Sequence, residues 1–311
     1  MADHCIKSGG EISNPAMTSP TRKEQAQAAS GNFSTSSPFS AIYHVMTTQL
    51  KNKWVLITGA SSGFGAAAAS AFGAEGSRLL LGARRVARLE EVAAGARKAG
   101  AAEAHFHVLN VASTSSVNAF VNWARGKIQN PKSKIGNLDV LINNAGGAHG
   151  LDTVAEGKDE DWEAMFQANV LGLLRMTRAV LPLMLNKPGG SIINIGSIAG
   201  RVAYEGGAVY CAAKAAERKI TEALRLELNG TGIRVGTIDP GLAETEFSLV
   251  RFKGDAGRAK RVYEGINPLT AGDVAETMIW VASRPPHVNI DDLLIKPVDQ
   301  AAIHKIYRRK N

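Results

Sequence analysis

The chain has 311 residues, of which 45% are hydrophobic and 21% charged, the composition of an ordinary soluble globular protein. Its formal net charge of +8 is dispersed and forms no basic stripe with interleaved aromatic residues, which argues against nucleic acid as a partner. The two cysteines, Cys5 and Cys211, exclude a disulfide framework and fit a reducing compartment, and the seven histidines show no metal-ligand spacing.

The first 48 residues differ in composition from the rest of the chain. They are rich in Ser, Thr, Ala, Gln and Pro and contain few large apolar side chains, so we expect residues 1–48 to be a disordered extension. The segment is too polar for a membrane span and is a poor secretory signal. We expect a cytoplasmic protein with no membrane attachment and one catalytic domain over residues 49–311. An organellar location is the alternative, if the extension is a targeting segment.

The first strand of this domain ends in a glycine-rich turn. The apolar run Trp54–Thr58 is followed by Gly59, Gly63 and Gly65 and then by an alanine-rich helix over residues 66–75. Glycines let the backbone turn sharply and approach a ligand, and the helix N-terminus presents free N–H groups to a phosphate. The pattern predicts a dinucleotide site; a glycine turn with no ligand is the alternative.

The end of the second strand indicates which dinucleotide is bound. The strand over residues 78–82 is followed by Arg84 and Arg85, with no acidic residue nearby. At this place an acidic side chain would hold a ribose 2′-hydroxyl, whereas arginine accommodates a 2′-phosphate. We therefore predict NADP rather than NAD. The alternative is that both arginines simply begin the helix over residues 86–98.

Strands and helices alternate along the remaining chain, with no linker and no internal repeat. Strands are expected near residues 104–109, 140–143, 191–195, 234–239 and 290–295, and helices near 115–128, 159–186 and 271–283, with Pro182 marking a break in the long one. This order predicts an α/β fold: a single doubly wound, Rossmann-type domain with a mostly parallel seven-stranded sheet and helices on both faces. Ligands of such sheets bind outside the carboxyl ends of the strands.

A hydroxyl pair and a lysine fall at one of these strand ends. Ser197 follows the strand over residues 191–195, and Tyr210 and Lys214 lie four residues apart on the next helix, so they share a face. The lysine ammonium would favour the phenolate form of the tyrosine, which general acid/base chemistry requires. An ordinary helix with a chance Tyr and Lys is the alternative for this motif alone.

Together these motifs resemble the short-chain dehydrogenase/reductase family over about residues 51–300. The matching segments are 58–65 (TGASSGFG), 143–146 (NNAG), Asn169, Ser197, 210–214 (YCAAK) and 240–241 (PG). The resemblance implies that Tyr210 is the proton donor and acceptor and that Ser197 holds the substrate oxygen. It also implies that Lys214 binds the nicotinamide ribose and that Asn169 holds a water in a proton relay.

The resemblance also implies a set of cofactor-binding residues spread over six strand ends. Asn110 stands where the family usually has Asp, and its amide oxygen can still accept a hydrogen bond from the adenine amino group. The full set is Gly59, Ser61, Ser62, Gly63, Phe64, Gly65, Arg84, Arg85, Asn110, Val111, Asn144, Tyr210, Lys214, Pro240, Gly241 and Thr245.

A longer segment narrows the resemblance to one branch. Residues 239–255, together with Phe64 and residues 284–290 and 296–300, are similar to the NADP-dependent 3-hydroxy acid dehydrogenases, which act on serine, allo-threonine and related β-hydroxy acids. This implies hydride transfer between NADP(H) and a small 3-hydroxy acid. The substrate carboxylate needs a cation, for which Arg251 and Arg201 are candidates. Ser197, Tyr210 and Arg251 are then the expected substrate contacts.

Two other functions remain open from the sequence. One is a reductase of the same family for a bulkier ketone or secondary-metabolite carbonyl. The other is a non-catalytic NADP-binding regulatory protein, against which the presence of Asn169, Ser197, Tyr210 and Lys214 argues. Members of the family pair the helices after the fourth and fifth strands, so the resemblance also implies a homo-oligomer, expected to be a tetramer.

Overall fold

The computed structural model of the chain describes residues 49–129, 136–185 and 188–309. The extension over residues 1–48 therefore lies outside the described residues, and its predicted disorder stays a prediction. Seven strands form one parallel sheet in the order β3-β2-β1-β4-β5-β6-β7. They are β1 (Trp54–Thr58), β2 (Arg78–Ala83), β3 (Glu103–Val108), β4 (Val140–Asn143), β5 (Ser191–Ile195), β6 (Arg234–Pro240) and β7 (Asp292–Ile295).

Helices connect the strands and lie on both faces of the sheet. They are α1 (Gly63–Ala74), α2 (Val86–Ala99), α3 (Thr114–Ile128), α4 (Asp159–Phe166), α5 (Gly172–Val180), α6 (Ala208–Glu227), α7 (Phe247–Arg251), α8 (Ala256–Arg261) and α9 (Ala271–Ala282). A short antiparallel pair, β8 (Gln300–Ala302) and β9 (Lys305–Ile306), follows the sheet.

The central strands are apolar along their whole length because both of their faces are covered. Val55 of β1 pairs with Leu79 on one side and Val140 on the other. One hydrophobic core packs α1, α2 and α9 on one face of the sheet, and a second packs α3, α5 and α6 on the other. The predicted doubly wound, Rossmann-type fold with seven parallel strands is confirmed, and each predicted strand lies within two residues of its observed bounds.

The expected long helix over residues 159–186 is divided in the structure. Between α4 and α5 the backbone forms a π-helical turn, Gln167–Leu171, and after α5 a 3-10 turn, Leu181–Leu183, has Pro182 in its first positions. A π turn inserts one extra residue into the helix and is common at functional sites. Asn169 lies inside this turn and is buried. The interruption therefore places a polar side chain in the interior of the protein.

The segment after β6 contains the short helices α7 and α8. These elements and the β8–β9 pair have at most six residues each, too few for a periodic pattern to show. Within the described residues, no helix is both long and apolar enough to cross a membrane. The same residues contain no group of three or more His, Cys, Asp or Glu side chains placed to hold a metal ion.

Candidate active site

The glycine turn after β1 is packed so closely that side chains are excluded from it. Gly59 has a φ of +66°, which favours glycine, and a Cβ on it would lie 2.9 Å from Cα of Ala145. A Cβ on Gly65 would lie 2.5 Å from the carbonyl oxygen of Gly59. The turn therefore brings bare backbone and the start of α1 to the carboxyl edge of the sheet.

Hydrogen bonds tie this turn to the end of β4. The hydroxyl of Thr58 accepts from the backbone N–H groups of Asn144 (3.0 Å) and Ala145 (2.9 Å). The amide of Asn144 donates to the carbonyls of Thr58 (2.9 Å) and Gly59 (3.3 Å). The side chain of Asn144 thus helps to fix the backbone of the glycine turn beside the end of β4.

The first turn of α1 is available to a ligand. Ser62 is the N-cap residue, and its side chain makes no capping hydrogen bond to the described backbone. The leading N–H groups of the helix therefore remain free for an anion. Thr245, from the segment after β6, lies over this point: its side chain would be 3.5 Å from a Cβ on Gly63. Phe64 is half-buried and packs on the adjacent core.

Positive side chains gather between the glycine turn and the start of α2. Arg85 donates to the hydroxyls of Ser61 (3.3 Å) and Ser62 (2.7 Å) and to the carboxylate of Glu246 (2.8 Å). Arg88 lies 3.5 Å from the same carboxylate. The hydrogen bond from Arg85 lowers the pKa of Glu246 below its usual range. An anionic group is therefore already bound where the sequence predicted a 2′-phosphate.

The other predicted cofactor residues lie along the same edge of the sheet. Arg84 and Asn110 are exposed, whereas Val111 is buried and would contact a Cβ on Gly172 at 2.8 Å. The side-chain oxygen of Asn110 accepts from the N–H of Ala112 at 3.1 Å, which leaves its second lone pair for a ligand.

Pro240 and Gly241 end β6 on this edge as well. The N–H of Gly241 donates to the carbonyl of Ile295 at 2.8 Å, and the N–H of Leu242 donates to the side chain of Gln300 at 2.8 Å. These bonds anchor the start of the segment that carries Thr245 and Glu246, which lies above the glycine turn.

Asn169 binds the loop after β4 with all of its polar atoms. Its amide nitrogen donates to the carbonyls of Gly147 (2.9 Å) and Met165 (2.7 Å), and its oxygen accepts from the N–H of Gly147 at 3.1 Å. The oxygen also lies against the position of a Cβ on Gly146. Asn169 therefore holds this loop beside Lys214, whose Nζ is 4.0 Å from the same Cβ position.

Lys214 is buried, and its ammonium binds one backbone carbonyl and one carboxylate. Nζ donates to the carbonyl of Ile195 (2.8 Å) and to Oε2 of Glu217 (2.7 Å). Burial alone would lower the pKa of Lys214, but Glu217, Tyr210 and Asp239 outweigh it, so the pKa is raised above its usual value. Lys214 therefore keeps its positive charge in the interior.

Ser197 lies at the end of β5 in extended backbone and begins a 3-10 turn, Ile198–Gly200. Its hydroxyl accepts from the N–H of Ala199 at 3.1 Å. The turn packs closely against α6, since a Cβ on Gly200 would lie 2.7 Å from the carbonyl oxygen of Lys214. Ala199 also packs in the same small cluster as Tyr210. The fold thus brings the elements that carry Ser197, Tyr210 and Lys214 together.

Tyr210 lines a small cleft, which has ≈ 20 Å³ of space for the centre of a water molecule. The guanidinium carbon of Arg251 lies 5.6 Å from the Tyr210 ring centroid and 5.5 Å from that of Tyr204. Arg251 is held by donating to the carbonyl of Gly150 (2.9 Å) and the hydroxyl of Tyr204 (2.8 Å). Burial raises the pKa of Tyr204 to about 12, with Arg251 opposing the shift, so Tyr204 stays a neutral partner. His149 also lines the cleft.

Arg201, the other candidate for a substrate carboxylate, has a different role in the structure. Its guanidinium donates to Asp239 at 2.6 Å and to Asp292 at 2.7 Å. Asp239 is buried, and Arg201 compensates its charge, because an unpaired buried carboxylate would be costly. Arg201 is also not among the residues that line the cleft. Arg201 thus has two carboxylate partners within the protein, and its alternative assignment to the substrate stays a prediction.

A family model described as short chain dehydrogenase matches residues 53–254, which contain the glycine turn, the Ser197 turn and the Tyr210–Lys214 pair. The chain belongs to the short-chain dehydrogenase family. The family resemblance seen in the sequence motifs is thereby confirmed.

Individual members of the short-chain dehydrogenase family are similar over nearly their whole length. The NADP-dependent 3-hydroxy acid dehydrogenase of Schizosaccharomyces pombe (strain 972 / ATCC 24843) is 41% identical over 264 residues, 85% of this chain and 99% of that protein. The serine 3-dehydrogenase of Agrobacterium fabrum (strain C58 / ATCC 33970) is 39% identical over 255 residues, 82% and 98% respectively. A solved structure, the closed form of serine dehydrogenase complexed with NADP+, has a TM-score of 0.73 at 40% identity and covers 83% of this chain and 100% of its own.

Four described residues of this short-chain dehydrogenase site were not singled out from the sequence. Arg88 had a signal, since it lies in the first turn of the helix that follows Arg85, three residues further on. Glu217 follows Lys214 in the same way, but glutamates on helices are usually exposed. Tyr204 and Glu246 come from irregular segments, whose conformation no sequence pattern specifies.

Proposed function

We propose that this short-chain dehydrogenase transfers a hydride between NADP(H) and a small 3-hydroxy acid, with the 3-oxo acid as the oxidised product. The observation that carries the proposal is the position of Arg251, a cation beside Tyr210 in the cleft. A tyrosine and lysine pair suits the oxidation of alcohols and the reduction of carbonyls in general, whereas the nearby cation favours a substrate with a carboxylate. Serine, allo-threonine and 3-hydroxypropionate have that carboxylate close to the hydroxyl.

NADP fits the residues present at the carboxyl edge of the sheet. The glycine turn is closed to any Cβ at Gly65, and the first N–H groups of α1 are free for a pyrophosphate. Arg85 and Arg88 supply cations that already bind the Glu246 carboxylate, and a 2′-phosphate would take the place of that carboxylate. When bound, the nicotinamide ring supplies or accepts the hydride.

The protein's own part in the reaction is to move a proton at the substrate oxygen. In the oxidative direction Tyr210, as phenolate, takes the hydroxyl proton while the carbon–oxygen double bond forms. In the reductive direction the tyrosine gives the proton back to the developing oxyanion. The hydroxyl of Ser197 donates a hydrogen bond to the same oxygen, which stabilises its charge in the transition state.

Lys214 and Asn169 support this chemistry from the interior. The positive charge of Lys214, four residues from Tyr210 on the same helix face, favours the phenolate form. The Asn169 side chain holds the loop Gly146–Gly147 against the π turn, so Lys214 and the end of β4 keep their spacing. The water that Asn169 is expected to hold in the relay is part of the same proposal.

Arg251 is the group we assign to the substrate carboxylate. Two of its donors bind Gly150 and Tyr204, which orients the guanidinium without neutralising its charge. A carboxylate in the cleft would then gain a charge-assisted hydrogen bond of about 1.5–3 kcal/mol. A bulky ketone without a carboxylate gains nothing from this cation.

A substrate panel tests the proposal. Serine, allo-threonine and 3-hydroxypropionate, each beside its methyl ester, are incubated with NADP, and the absorbance of NADPH is followed. We expect turnover of the acids and at least a tenfold lower kcat/KM for the esters, because the esters lose the ion pair with Arg251. Turnover of bulky ketones in the presence of NADPH, with none of any 3-hydroxy acid, would contradict the assignment and favour the bulky-ketone alternative. No turnover of either class would favour a regulatory protein.

We further propose that the chain forms a homo-oligomer, as a tetramer. Large apolar side chains are exposed along the helical segment after β4, at Phe166 (39%), Leu171 (38%) and Leu174 (43%), and at Leu226 (80%) near the end of α6. Large apolar side chains left exposed on these helical segments favour a surface that a second copy covers. Sedimentation velocity of the full chain checks this proposal: a single monomer boundary at all concentrations would contradict it.

The catalytic domain is proposed to span residues 49–311 and to lie in the cytoplasm, since the described Cys211 is a free, buried thiol and fits a reducing compartment. A chain that lacks residues 1–48 should keep its kcat/KM. Transport of a reporter protein into an organelle by residues 1–48 would contradict the location.

A further inference from the structure

Glu217 is a buried carboxylate that the mechanism above does not use. Its side chain is 2% exposed, and it lies one turn beyond Lys214 on α6, with Oε2 at 2.7 Å from Nζ. Replacing a buried ion pair with apolar residues of similar volume is often neutral or stabilising. A role in holding the fold together is therefore a weak reason for this pair to be charged.

Half of this carboxylate has no partner. Oε1 of Glu217 makes no hydrogen bond to any described residue, and neither does Oδ1 of Asn143. The Asn143 amide donates to Thr177 and Asn194, which turns its oxygen away from both. Buried acceptors are nearly always bonded to the protein or to water, so two orphaned oxygens in one place need an explanation.

Both residues line one small cavity, which has ≈ 10 Å³ of space for the centre of a water molecule. That is about the space that one water molecule needs, and a buried water requires two to four polar neighbours. The polar residues around this cavity are Thr58, Asn143, Asn169, Lys214 and Glu217. A water in the cavity can therefore donate to the two orphaned oxygens.

The catalytic pair of α6 bridges this cavity and the substrate cleft. Tyr210 lines the cleft, Lys214 lines the cavity, and no described residue lines both. Lys214 and Glu217 follow Tyr210 on the same helix and line the cavity, whereas Tyr210 lines the cleft. A proton that leaves Tyr210 by way of Lys214 and Glu217 therefore moves away from the substrate.

Burial of Glu217 favours its holding a proton near neutral pH. Burial raises the pKa of Glu217 to about 7, against the opposing effect of Lys214, and Asp239 on β6 adds to the rise. Asp239 is itself paired with Arg201, from the turn after β5. Among the described residues, Lys214 and Asp239 are the charged groups that act on the Glu217 carboxylate.

We propose that Glu217 is the inner proton acceptor of the site, which takes protons from Lys214 and releases them through water in the adjoining cavity. The inference rests on the proposed function for Tyr210 and Lys214. It makes Glu217 a proton-transfer group for this chain's reaction and not a structural partner of the lysine.

The proton is conserved at each step. Oxidation leaves Tyr210 as phenol, Lys214 as ammonium and Glu217 as carboxylate. Lys214 then gives one proton to Oε2 of Glu217 and takes up the phenol proton of Tyr210. Tyr210 returns to phenolate, Lys214 remains ammonium, and Glu217 holds the proton of the substrate hydroxyl until water removes it. Reduction runs the same transfers backwards.

Glu217→Gln tests the proposal, with Glu222→Gln as the matched control. Glutamine keeps an acceptor for Lys214 but cannot take up a proton, and Glu222 is a more exposed glutamate on the same helix, paired with Lys219 at 2.6 Å. Infrared titration of the protein without substrate or cofactor, labelled with ¹³C-glutamate, should show a carboxyl that titrates near pH 7. The signal should persist in Glu222→Gln and vanish in Glu217→Gln.

The second readout is the pH profile of kcat in the oxidative direction. In the wild type kcat should fall as the pH decreases through about 7, because protonated Glu217 accepts nothing. Glu217→Gln should lose that inflection and about tenfold or more in kcat, with NADP affinity unchanged. Glu217→Asp, which keeps a titratable carboxyl, should restore part of the pH dependence.

Three results would overturn the inference. They are an infrared titration with no glutamate carboxyl near pH 7, a Glu217→Gln variant with the wild-type pH profile, and a Glu217→Asp variant without any pH dependence. If Glu217→Gln does not fold, the labelled wild type and Glu217→Asp decide between the outcomes. A wild type that turns over no hydroxy acid would contradict only the proposed function, because the infrared titration of Glu217 needs no substrate.

Discussion

Arg85 should determine the preference for NADP over NAD, and the size of its contribution follows from its contacts. In the structure its guanidinium already donates to Glu246 at 2.8 Å, so binding a 2′-phosphate exchanges one anion for another. A charge-assisted hydrogen bond contributes about 1.5–3 kcal/mol, and the half-exposed pair with Glu246 offsets about 0–1 kcal/mol of that. The net loss in Arg85→Ala is roughly 0.5–3 kcal/mol, which is an about 2- to 140-fold weaker Kd for NADP.

The assay is a fluorescence titration of NADP and NAD into the wild type, Arg85→Ala and the control Arg125→Ala, which removes an exposed arginine on α3. NAD lacks the 2′-phosphate, so its Kd should change less than twofold in both variants. An equal loss for NADP and NAD, or no loss for either, would refute the assignment of Arg85 to the 2′-phosphate.

Three further changes have expected outcomes. Glu246→Gln removes the anion that competes for Arg85 and Arg88, so NADP should bind up to about fivefold tighter; weaker binding in the same titration would show that Glu246 is not a competitor. Gly65→Ala places a Cβ 2.5 Å from the carbonyl oxygen of Gly59 and should lower the free energy of unfolding by about 1–3 kcal/mol. Gly95→Ala, with nothing within 4 Å of its Cβ, should raise the free energy of unfolding by about 0.5–1 kcal/mol. Chemical denaturation compares the two variants, and equal effects would contradict the close packing at Gly65. Because the pKa of Glu217 is raised from 4.5 to about 7, the stability that its protonation contributes is complete below pH 4.5 and is lost as the pH rises to 7. The free energy of unfolding should fall by up to about 1.4 kcal/mol per pH unit in this range. Glu217→Gln should lack that slope, and an unchanged slope would exclude Glu217 as its source.

Much of the fold follows from local sequence features. β1 and β2 are short apolar runs bounded by glycine or charged residues, and burial on both faces is what makes such runs continuous. Their alternation with helices leaves few topologies other than a doubly wound sheet. The short helix α7 and the β8–β9 pair have too few residues for a periodic signal, so only the folded chain shows them.

The site is less predictable because its side chains come from distant parts of the chain. The spacing of Tyr210 and Lys214 places them on one helix face whatever the rest of the chain does. The contact of Arg251 with Tyr204 joins the last residue of the short helix α7 to an irregular segment 47 positions away, which no local pattern encodes. The sequence equally suggested Arg201 as a carboxylate ligand, and its pairing with Asp239 depends on how β6 packs beside the Ser197 turn.

Burial is the property that sequence patterns miss for Glu217. Three residues after Lys214, glutamate fits an exposed helix face as well as a buried one, and the packing of α6 on β6 decides between them. The π turn around Asn169 is similar, since its extra residue leaves the hydrophobic spacing almost unchanged.

Comparison of the wild type with Tyr210→Phe tests the central claim most directly. NADPH formation is measured with NADP and the best 3-hydroxy acid, and the Kd for NADP is measured in parallel. Phenylalanine keeps the ring that packs against Phe247 and removes only the group that moves the proton. We expect kcat to fall by about 10²- to 10⁴-fold with the Kd for NADP nearly unchanged. A Tyr210→Phe variant with wild-type kcat would contradict the account.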